Sequence, residues 1–220
     1  MKQWLFTLSM IFFAATAPAA AQSELIRDDN PYVLLEKVAN KTLARIAQDR
    51  DLINADLNHT RVIIREEMLP YVDYIYAAKR VLGRHLTQTT EEQRQEFYTV
   101  FRDYLITTYA GAFTQYDENK HTIEFGNPGR FEENSRMVVV NTRLIEQGGR
   151  PPVRLDFKMR YDNTDDVWKA YDLVVEGVSL LNSKQTEIAS VIRSNGIDGT
   201  IKLLREKARE AVKPYEETES

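Results

Sequence analysis

A run of strict alternation constrains the fold more than any other part of the chain. Residues 153–160 read VRLDFKMR, so apolar side chains occupy every second position and charged side chains occupy the positions between them. A period of two is typical of an antiparallel strand with one apolar face and one hydrated face. A polar turn centred on Asn163 follows, and residues 167–175 then return as a second strand. Because a wide apolar face cannot remain in water, other elements have to cover it.

The remaining segments predict an α+β fold, in which helical segments come before and after the strands along the chain. We expect helices at residues 30–48, in a short stretch ending at 69, at 71–82 and at 91–116, then strands at 121–125, 137–145, 153–161 and 167–175, and helical segments after 179. A polar linker is predicted at 49–58, and residues 196–199 separate the two final helical pieces. Thr89 and Glu92 form an expected capping box. The fold is thus a curved antiparallel sheet of about four strands wrapped by helices.

Both ends of the chain predict segments that are separate from this domain. Residues 1–21 have the charged start, apolar core and small-residue cleavage site of a signal peptide, with cleavage expected after Ala21. Residues 22–213 are then a single domain, and the acidic residues 214–220 are expected to be a disordered tail. The chain has no cysteine, so its stability has to come from its core. We expect an exported, soluble protein.

Charge and motifs argue against several classes of function. The net charge of −4 argues against nucleic acid as a partner. The three histidines, His59, His85 and His121, have no metal-site spacing, and we expect no metal. The sequence also contains no nucleophile-elbow motif and no glycine-rich phosphate loop.

One pair of carboxylates keeps an enzyme hypothesis open. Asp172 and Glu176 are four residues apart on the last predicted strand, and a carboxylate in an apolar pocket can act as a general base. The other interpretation places both on the hydrated face of the sheet, paired with Lys158 and Arg160 across the strands. We favour the second interpretation and expect no catalytic residue.

The aromatic stripes on the predicted helices are ambiguous. The helix at 91–116 carries Phe97, Phe101 and Tyr104 at helical spacing, which is the pattern of a helix that faces a core. The same pattern is found when a helix lines a cavity. Periodicity alone therefore leaves a filled core and a lined cavity both open.

Seven short segments, in order along the chain, resemble one known family. They are NPY at 30–32, LPYV at 69–72, VLG at 81–83, GRPPVRLDF at 149–157, WKAYD at 168–172, EGVS at 176–179 and GIDG at 196–199. On these segments the sequence resembles the MlaC family of periplasmic phospholipid carriers, also called the toluene-tolerance family. One departure is Thr200-Ile201 after the last motif, where leucine is expected first.

The resemblance implies a fold and a function. The fold is similar to the cone of nuclear transport factor 2 (NTF2-like), with an apolar cavity between sheet and helices that holds the acyl chains of a diacyl phospholipid. The lipid is cargo, and no cofactor is implied. The partners implied are an outer-membrane lipoprotein–porin complex of the MlaA type and an inner-membrane ABC transporter carrying an MlaD-type MCE protein. The protein is expected to be a periplasmic monomer in a Gram-negative bacterium, and to maintain the lipid asymmetry of the outer membrane.

The predicted lipid-binding residues come from two sources. The motifs at 69–72 and 153–157 match the family, and the others follow from periodicity. The full set is Leu69, Val72, Ile75, Leu82, Phe97, Phe101, Tyr104, Leu105, Val153, Leu155, Phe157, Met159, Tyr171, Leu173 and Val175. Two alternatives remain: an isomerase or dehydratase on the same fold that uses Asp172 or Glu176, and a structural periplasmic adaptor with a filled core.

Overall fold

A computed structural model describes residues 25–127, 131, 132 and 135–214. The expected signal peptide at 1–21 lies outside the described residues, as does the expected tail apart from Pro214. Helices come first, an antiparallel sheet follows, and one long helix ends the fold. The predicted α+β class is confirmed.

The helices differ from the predicted ones mainly at their ends. They are α1 (Pro31–Gln48), α2 (Arg50–Ala55), α3 (His59–Ile63), α4 (Tyr74–Leu82), α5 (Glu91–Thr114) and α6 (Leu180–Arg209), with a π-helical turn at Ile64–Met68 and 3₁₀ turns at Leu69–Tyr71 and Gly83–Gln88. The prediction of a polar linker at 49–58 is wrong, because α2 lies inside it. The two final helical pieces are joined in α6 across a kink at Gly196, whose φ of 68° interrupts the helix.

Side-chain caps start the two main helices that position the site. Asn30 accepts a hydrogen bond from the Tyr32 amide at 3.0 Å, so α1 begins as predicted. At the start of α5 the capping box consists of Thr90 and Gln93. The prediction of Thr89 and Glu92 was therefore one residue too early. Such caps fix where each helix starts and hence which face it presents.

The sheet is a meander of five antiparallel strands. They are β1 (His121–Phe125), β2 (Met137–Glu146), β3 (Val153–Asp162), β4 (Val167–Val175) and β5 (Val178–Ser179), paired in that order. The sequence predicted four of them. The fifth has only two residues, too few for any periodic signal. It forms because Glu176 and Gly177 take positive φ values of 48° and 84° and turn the chain back onto β4.

A bulge bends β4 at Tyr171. Lys158 pairs with Asp172, and the next residue, Met159, pairs with Ala170, so Tyr171 is an extra residue on its strand. Because it is an extra residue, Tyr171 does not follow the regular alternation of side chains between the two faces of the sheet. Its ring packs edge-on against Tyr76 of α4, with ring centroids 5.1 Å apart. The bulge therefore curves the sheet and joins β4 to the helices.

Two large buried clusters make up most of the core. The first lies between α4, α5 and α6 and includes Phe97 and Phe101, at 0% and 1% exposure. The second lies between α1 and the sheet and includes Leu34, Met159 and Trp168. We call the sheet face that α1 covers the inner face; it carries the apolar residues of the alternation in β3. Smaller clusters join α1, α2, α3 and the end of α5.

Candidate functional site

A patch of half-buried apolar side chains lies at one end of the inner face. Register pairs Leu144 with Val153 and Leu155 with Val175, and Leu173 is two residues along β4, so these side chains are neighbours on one face. We call these five residues the inner patch. Although they are half-buried, none of them belongs to the four buried clusters of the described residues. The sheet is therefore not closed by a filled core at this end.

Among the described residues, helix α5 packs closely on no strand. It packs instead on α6, α4 and α3. Its remaining stripe includes Leu105, Tyr109 and Ala112, which helical spacing places on one side. One turn further on, Tyr116 reaches β1, with its ring stacked on that of His121 at 5.9 Å. Leu105 and Tyr109 of this stripe are half-buried, and Ala112 is exposed.

Tyr109 is a polar group in this largely apolar region. Burial raises the pKa of the Tyr109 hydroxyl, and the charged groups that act on it are Lys184 and Glu187 of α6 and Asp172 of β4. The side chain therefore lies where α5, α6 and β4 meet. The prediction of site residues omitted Tyr109, although its spacing of four from Leu105 was a usable signal.

A second polar contact lies at the same junction. Lys184 donates hydrogen bonds of 2.7 Å to the Tyr104 hydroxyl and to Glu187. Burial acts to lower the pKa of Lys184, but these two hydrogen bonds outweigh it and raise the pKa. Lys184 is thus held as a cation beside the aromatic ring of Tyr104, 5.2 Å from the ring centroid.

The candidate catalytic carboxylates do not share a pocket. Asp172 accepts hydrogen bonds from Lys158 Nζ at 3.0 Å, from Ser179 Oγ at 2.7 Å and from the Leu181 amide at 3.0 Å. These contacts join β4 to the start of α6, and the expected Lys158–Asp172 pair is confirmed. Glu176 lies beyond the end of β4, in the exposed turn before β5. The expectation that both acids lie on one strand was therefore wrong.

The other expected pair across the strands is also wrong. Arg160 bonds to Asp73, the N-cap of α4, rather than to either candidate acid. Its guanidinium lies 4.7 Å from the centroid of the Tyr76 ring. Arg160 thus anchors α4 to the sheet. Sequence reasoning missed this contact because the two residues are 87 positions apart.

A polar cleft of about 750 Å³ opens between the helices and the same end of the sheet. The sheet side contributes His121 and Glu146, which are register partners at the ends of β1 and β2. The helical side contributes the C-terminal end of α5 and the junction of α1 with α2. We call this the mouth cleft. Its lining residues are Ala47, Arg50, Thr114, Gln115, Tyr116, Asp117, Glu118, Asn119, Lys120, His121, Glu146 and Arg150.

Comparison with known proteins decides the family. A family model described as MlaC protein matches residues 36–206, which is most of the chain. The chain belongs to the MlaC family. The intermembrane phospholipid transport system binding protein MlaC of Haemophilus influenzae is 31% identical over 212 residues, covering 96% of both chains. These matches confirm the resemblance carried by the seven motifs.

A solved structure shows a similar fold. It is a phospholipid-binding protein from Ralstonia solanacearum in complex with a phospholipid, with a TM-score of 0.70 and 26% sequence identity. The match covers 82% of this chain and 97% of that one. The fold described above is therefore shared with this neighbour.

The structure separates the predicted lining residues into groups. Those on the inner face are Val153, Leu155, Phe157, Met159, Leu173 and Val175, of which Met159 is fully buried under α1. Leu82, Phe97, Phe101 and Tyr104 are buried in the first cluster, with Leu105 and Tyr171 at its border. Val153, Leu155, Leu173 and Val175 of the first group belong to the inner patch, whereas Phe157 and Met159 pack under α1. Leu82, Phe97, Phe101 and Tyr104 lie in closed core.

The three remaining predicted residues lie near Pro70. Leu69 packs against a small cluster beside α5, and Val72 forms a parallel bridge to Ala170 of β4. Ile75 is 41% exposed and lies in a separate surface groove of about 450 Å³. This segment is thus attached to the edge of β4 at Ala170, whereas the inner patch lies farther along the strand, at Leu173 and Val175.

The described ranges contain neither a metal-site cluster nor a helix that could span a membrane. Between residues 25 and 214, with the gaps stated above, no cluster of His, Asp and Glu side chains has the arrangement of a metal site. Over the same residues no helix is both long enough and apolar enough to cross a bilayer.

Proposed function

We propose that this chain is a periplasmic phospholipid carrier that holds the acyl chains of one diacyl phospholipid in the gap between α5 and the inner patch. Membership of the MlaC family supports this function, as do the named activities of its relatives. The observation that carries the proposal is the inner patch itself. Its five apolar side chains are only half-buried, on the face of the sheet that α1 covers.

Lipid chemistry explains why such a gap is needed. Two acyl chains contain roughly 28 methylene groups, and exposing them to water costs about 0.8 kcal/mol each. The sum exceeds roughly 20 kcal/mol, so a carrier has to enclose both chains almost completely. The inner patch supplies one wall, and Leu105, Tyr109 and Ala112 supply the facing wall. The lipid is cargo, and the proposal includes no cofactor.

The family membership also suggests the route. We propose that the carrier, acting as a monomer after its signal peptide is removed, exchanges lipid with an outer-membrane lipoprotein–porin complex of the MlaA type and an inner-membrane ABC transporter with an MlaD-type MCE protein. This shuttling maintains outer-membrane lipid asymmetry. A reconstituted pair of donor and acceptor complexes, with labelled lipid counted on the carrier in between, tests the route directly.

Native mass spectrometry of the protein purified from periplasm tests the central proposal. We expect a stoichiometric mass addition equal to a diacyl phospholipid, and the same lipid in an organic extract. A bare polypeptide mass with no extractable lipid would favour the adaptor alternative.

A charge placed in the gap gives a second test. Leu155→Glu is expected to abolish lipid binding while the protein remains folded, because the carboxylate would be buried among acyl chains. Val139→Glu, at a position 43% exposed on the opposite face of the sheet, where Lys158 is its register partner, is the control for an added charge. A folded Leu155→Glu protein with normal lipid content would refute the assignment of the gap.

The enzyme alternative has little support from the site. All three contacts of Asp172 are structural, and Glu176 lies in an exposed turn, where it accepts a hydrogen bond from the Arg154 amide. We therefore propose no catalysis. Glu176→Gln is expected to leave lipid content and transfer unchanged, and a loss of transfer in this variant would reopen the enzyme hypothesis.

A further inference from the structure

The surface groove of about 450 Å³ that lies beside Pro70 has no role in the proposed carrier function. We call it the Pro70 groove. Leu69, Pro70, Val72 and Ile75 supply its apolar side chains, and none of its lining residues belongs to the inner patch. Lipid binding in the gap therefore leaves unexplained why apolar side chains line a groove at this part of the surface.

The apolar part of the Pro70 groove is held in place by the sheet. Val72 forms a bridge to Ala170 of β4, and the Asp73 amide donates a hydrogen bond to the Ala170 carbonyl at 2.8 Å. Arg160 binds the Asp73 side chain at the start of α4. A groove whose walls are already fixed loses little conformational entropy when it binds a partner.

The side of the groove formed by the helical segment is cationic. Arg65 is exposed there and has no hydrogen-bond or ion-pair partner within the described part of the chain. Arg61 lies four residues earlier, and burial together with the charge of Arg65 lowers the pKa of Arg61. Arg102 lies over the ring of Tyr74, 5.8 Å from its centroid, although Asp103 binds part of its charge. An anionic group here would relieve the repulsion between Arg61 and Arg65.

The side formed by the turn between β3 and β4 is anionic. Asp162 and Asp165 share the ammonium group of Lys169, which lies 2.9 Å from Asp162 and also binds Asp165. The hydrogen bond from Lys169 lowers the pKa of Asp162. Two carboxylates and one ammonium group leave one negative charge, and the Asp165 side chain is 53% exposed. A cationic group of a partner can therefore approach this side.

We propose that the Pro70 groove is a docking site for a segment of a partner protein that carries apolar side chains between an acidic and a basic residue. The apolar side chains of this segment contact Leu69, Val72 and Ile75. Its carboxylate lies beside Arg65, and its cation lies beside Asp165. Charge complementarity selects this partner, because a uniformly acidic or basic segment is repelled at one side of the groove. The docking site does not depend on the proposed carrier function.

Binding of three synthetic peptides to the purified protein tests the docking site. The peptides share an apolar centre and differ in their ends: one has an acidic and a basic end, one has two acidic ends and one has two basic ends. Fluorescence anisotropy measures their dissociation constants. The mixed peptide is expected to bind the wild type about two- to five-fold more tightly than either of the others, the usual range for an exposed charge pair.

Two substitutions separate the apolar contact from the charge contact. Ile75→Ala is expected to weaken binding of all three peptides by about ten-fold, because it removes apolar contact area in the groove. Arg65→Glu is expected to weaken the mixed peptide by about two- to five-fold and to strengthen the doubly basic peptide by a similar factor, since both sides of the groove are then anionic. A merely structural role for Arg65 would not reverse the preference between two peptides.

Matched controls make similar changes elsewhere. Leu52→Ala changes an exposed apolar residue on α2, and Arg193→Glu changes an exposed arginine on α6, both outside the groove. Both are expected to bind the peptides like the wild type. The docking site is overturned if the mixed peptide does not bind, if all three peptides bind the wild type equally, or if Ile75→Ala and Arg65→Glu behave like these controls.

Two further measurements distinguish other occupants of the groove. A dimer in analytical ultracentrifugation that Ile75→Ala dissociates would make the occupant a second copy of this chain and overturn the proposal. Native mass spectrometry is expected to give Ile75→Ala the lipid content of the wild type, because Ile75 is not in the inner patch. A loss of lipid with unchanged peptide binding would assign Ile75 to the lipid site and also overturn the proposal. If the wild type itself holds no lipid, the carrier function fails, while the peptide measurements still decide the docking site.

Discussion

Helix α5 takes part in two regions that look alike in sequence and differ in the structure. Its first half packs Phe97 and Phe101 against α4 and α6, where both rings are sealed from solvent. We propose that its second half lies over the inner patch, where Leu155 and Leu173 remain half-buried. In this proposal one region is a filled core and the other is a lined gap. The difference shows that a hydrophobic stripe predicts that a helix is covered, but not whether the cover is protein or ligand.

The largest effect is expected in the filled region. Phe101→Ala removes a ring with 1% exposure and leaves a cavity between three helices, so it should cost about 3–5 kcal/mol of unfolding free energy. Chemical denaturation measures this cost. Lipid bound per folded molecule should not change, because the ring does not face the gap. A loss of lipid without a loss of stability would mean that the two regions have been assigned the wrong way round.

A smaller loss of unfolding free energy is expected at Asp172, where β4 contacts the start of α6. Asp172 connects β4, which carries Leu173, to the start of α6 in the filled core. Asp172→Asn keeps the shape but removes the charge that Lys158 and the Leu181 amide bind, and should cost about 2–3 kcal/mol. Lys158→Gln should cost less, since Lys158 is 33% exposed and can be replaced by water. Equal costs for both changes would contradict a buried, structural Asp172.

The contacts of Asp172 also show which parts of the fold were predictable. The alternation at 153–160 and the Asn163 turn are local signals, so β3, β4 and the hairpin that joins them followed from them. The pair of Asp172 with Lys158 was predicted because the two lie directly across a hairpin, although Asp172 is buried and not on a hydrated face. Its other partners are on β5 and α6, and β5 depends on a turn with Glu176 at positive φ. Such a conformation is rare for a residue other than glycine, so no local pattern predicted it.

The site was predictable only in part, for a related reason. The sheet side of the gap follows from a period of two, and Leu155 and Leu173 were among the predicted residues. The helix side depends on the rotation of α5, which is set by packing against α4 and α6. The mouth cleft draws Arg50, Lys120 and Glu146 from three separate parts of the chain. No local pattern marks residues that only tertiary folding brings together.

Asp49, a buried carboxylate between α1 and α3, gives a prediction that depends on pH. The hydrogen bonds from His59 and then Arg45 lower the pKa of Asp49, which joins the end of α1 to α3. A lowered folded-state pKa contributes stability above the unfolded value of about 3.9, and this contribution is lost as pH falls through the folded value. Asp49→Asn should therefore cost about 1–2 kcal/mol near pH 7. The difference from the wild type should fade below about pH 4. Urea titrations at several pH values measure it, and a constant difference would contradict the ion pair.

The smallest stability effect, and the sharpest contrast, is expected from one substitution made in both regions. Leu204→Ala empties a site with 4% exposure in the filled core and should cost about 2–5 kcal/mol. Leu173→Ala, in the inner patch, should cost delipidated protein only about 1 kcal/mol, because its side chain has few protein neighbours to lose. The same change should lower lipid occupancy, since the acyl chains lose an apolar contact. Denaturation of delipidated protein and native mass spectrometry of loaded protein measure the two quantities. If Leu173→Ala costs as much as Leu204→Ala and lipid occupancy is unchanged, the inner patch is ordinary core, and the gap between it and α5 holds no ligand.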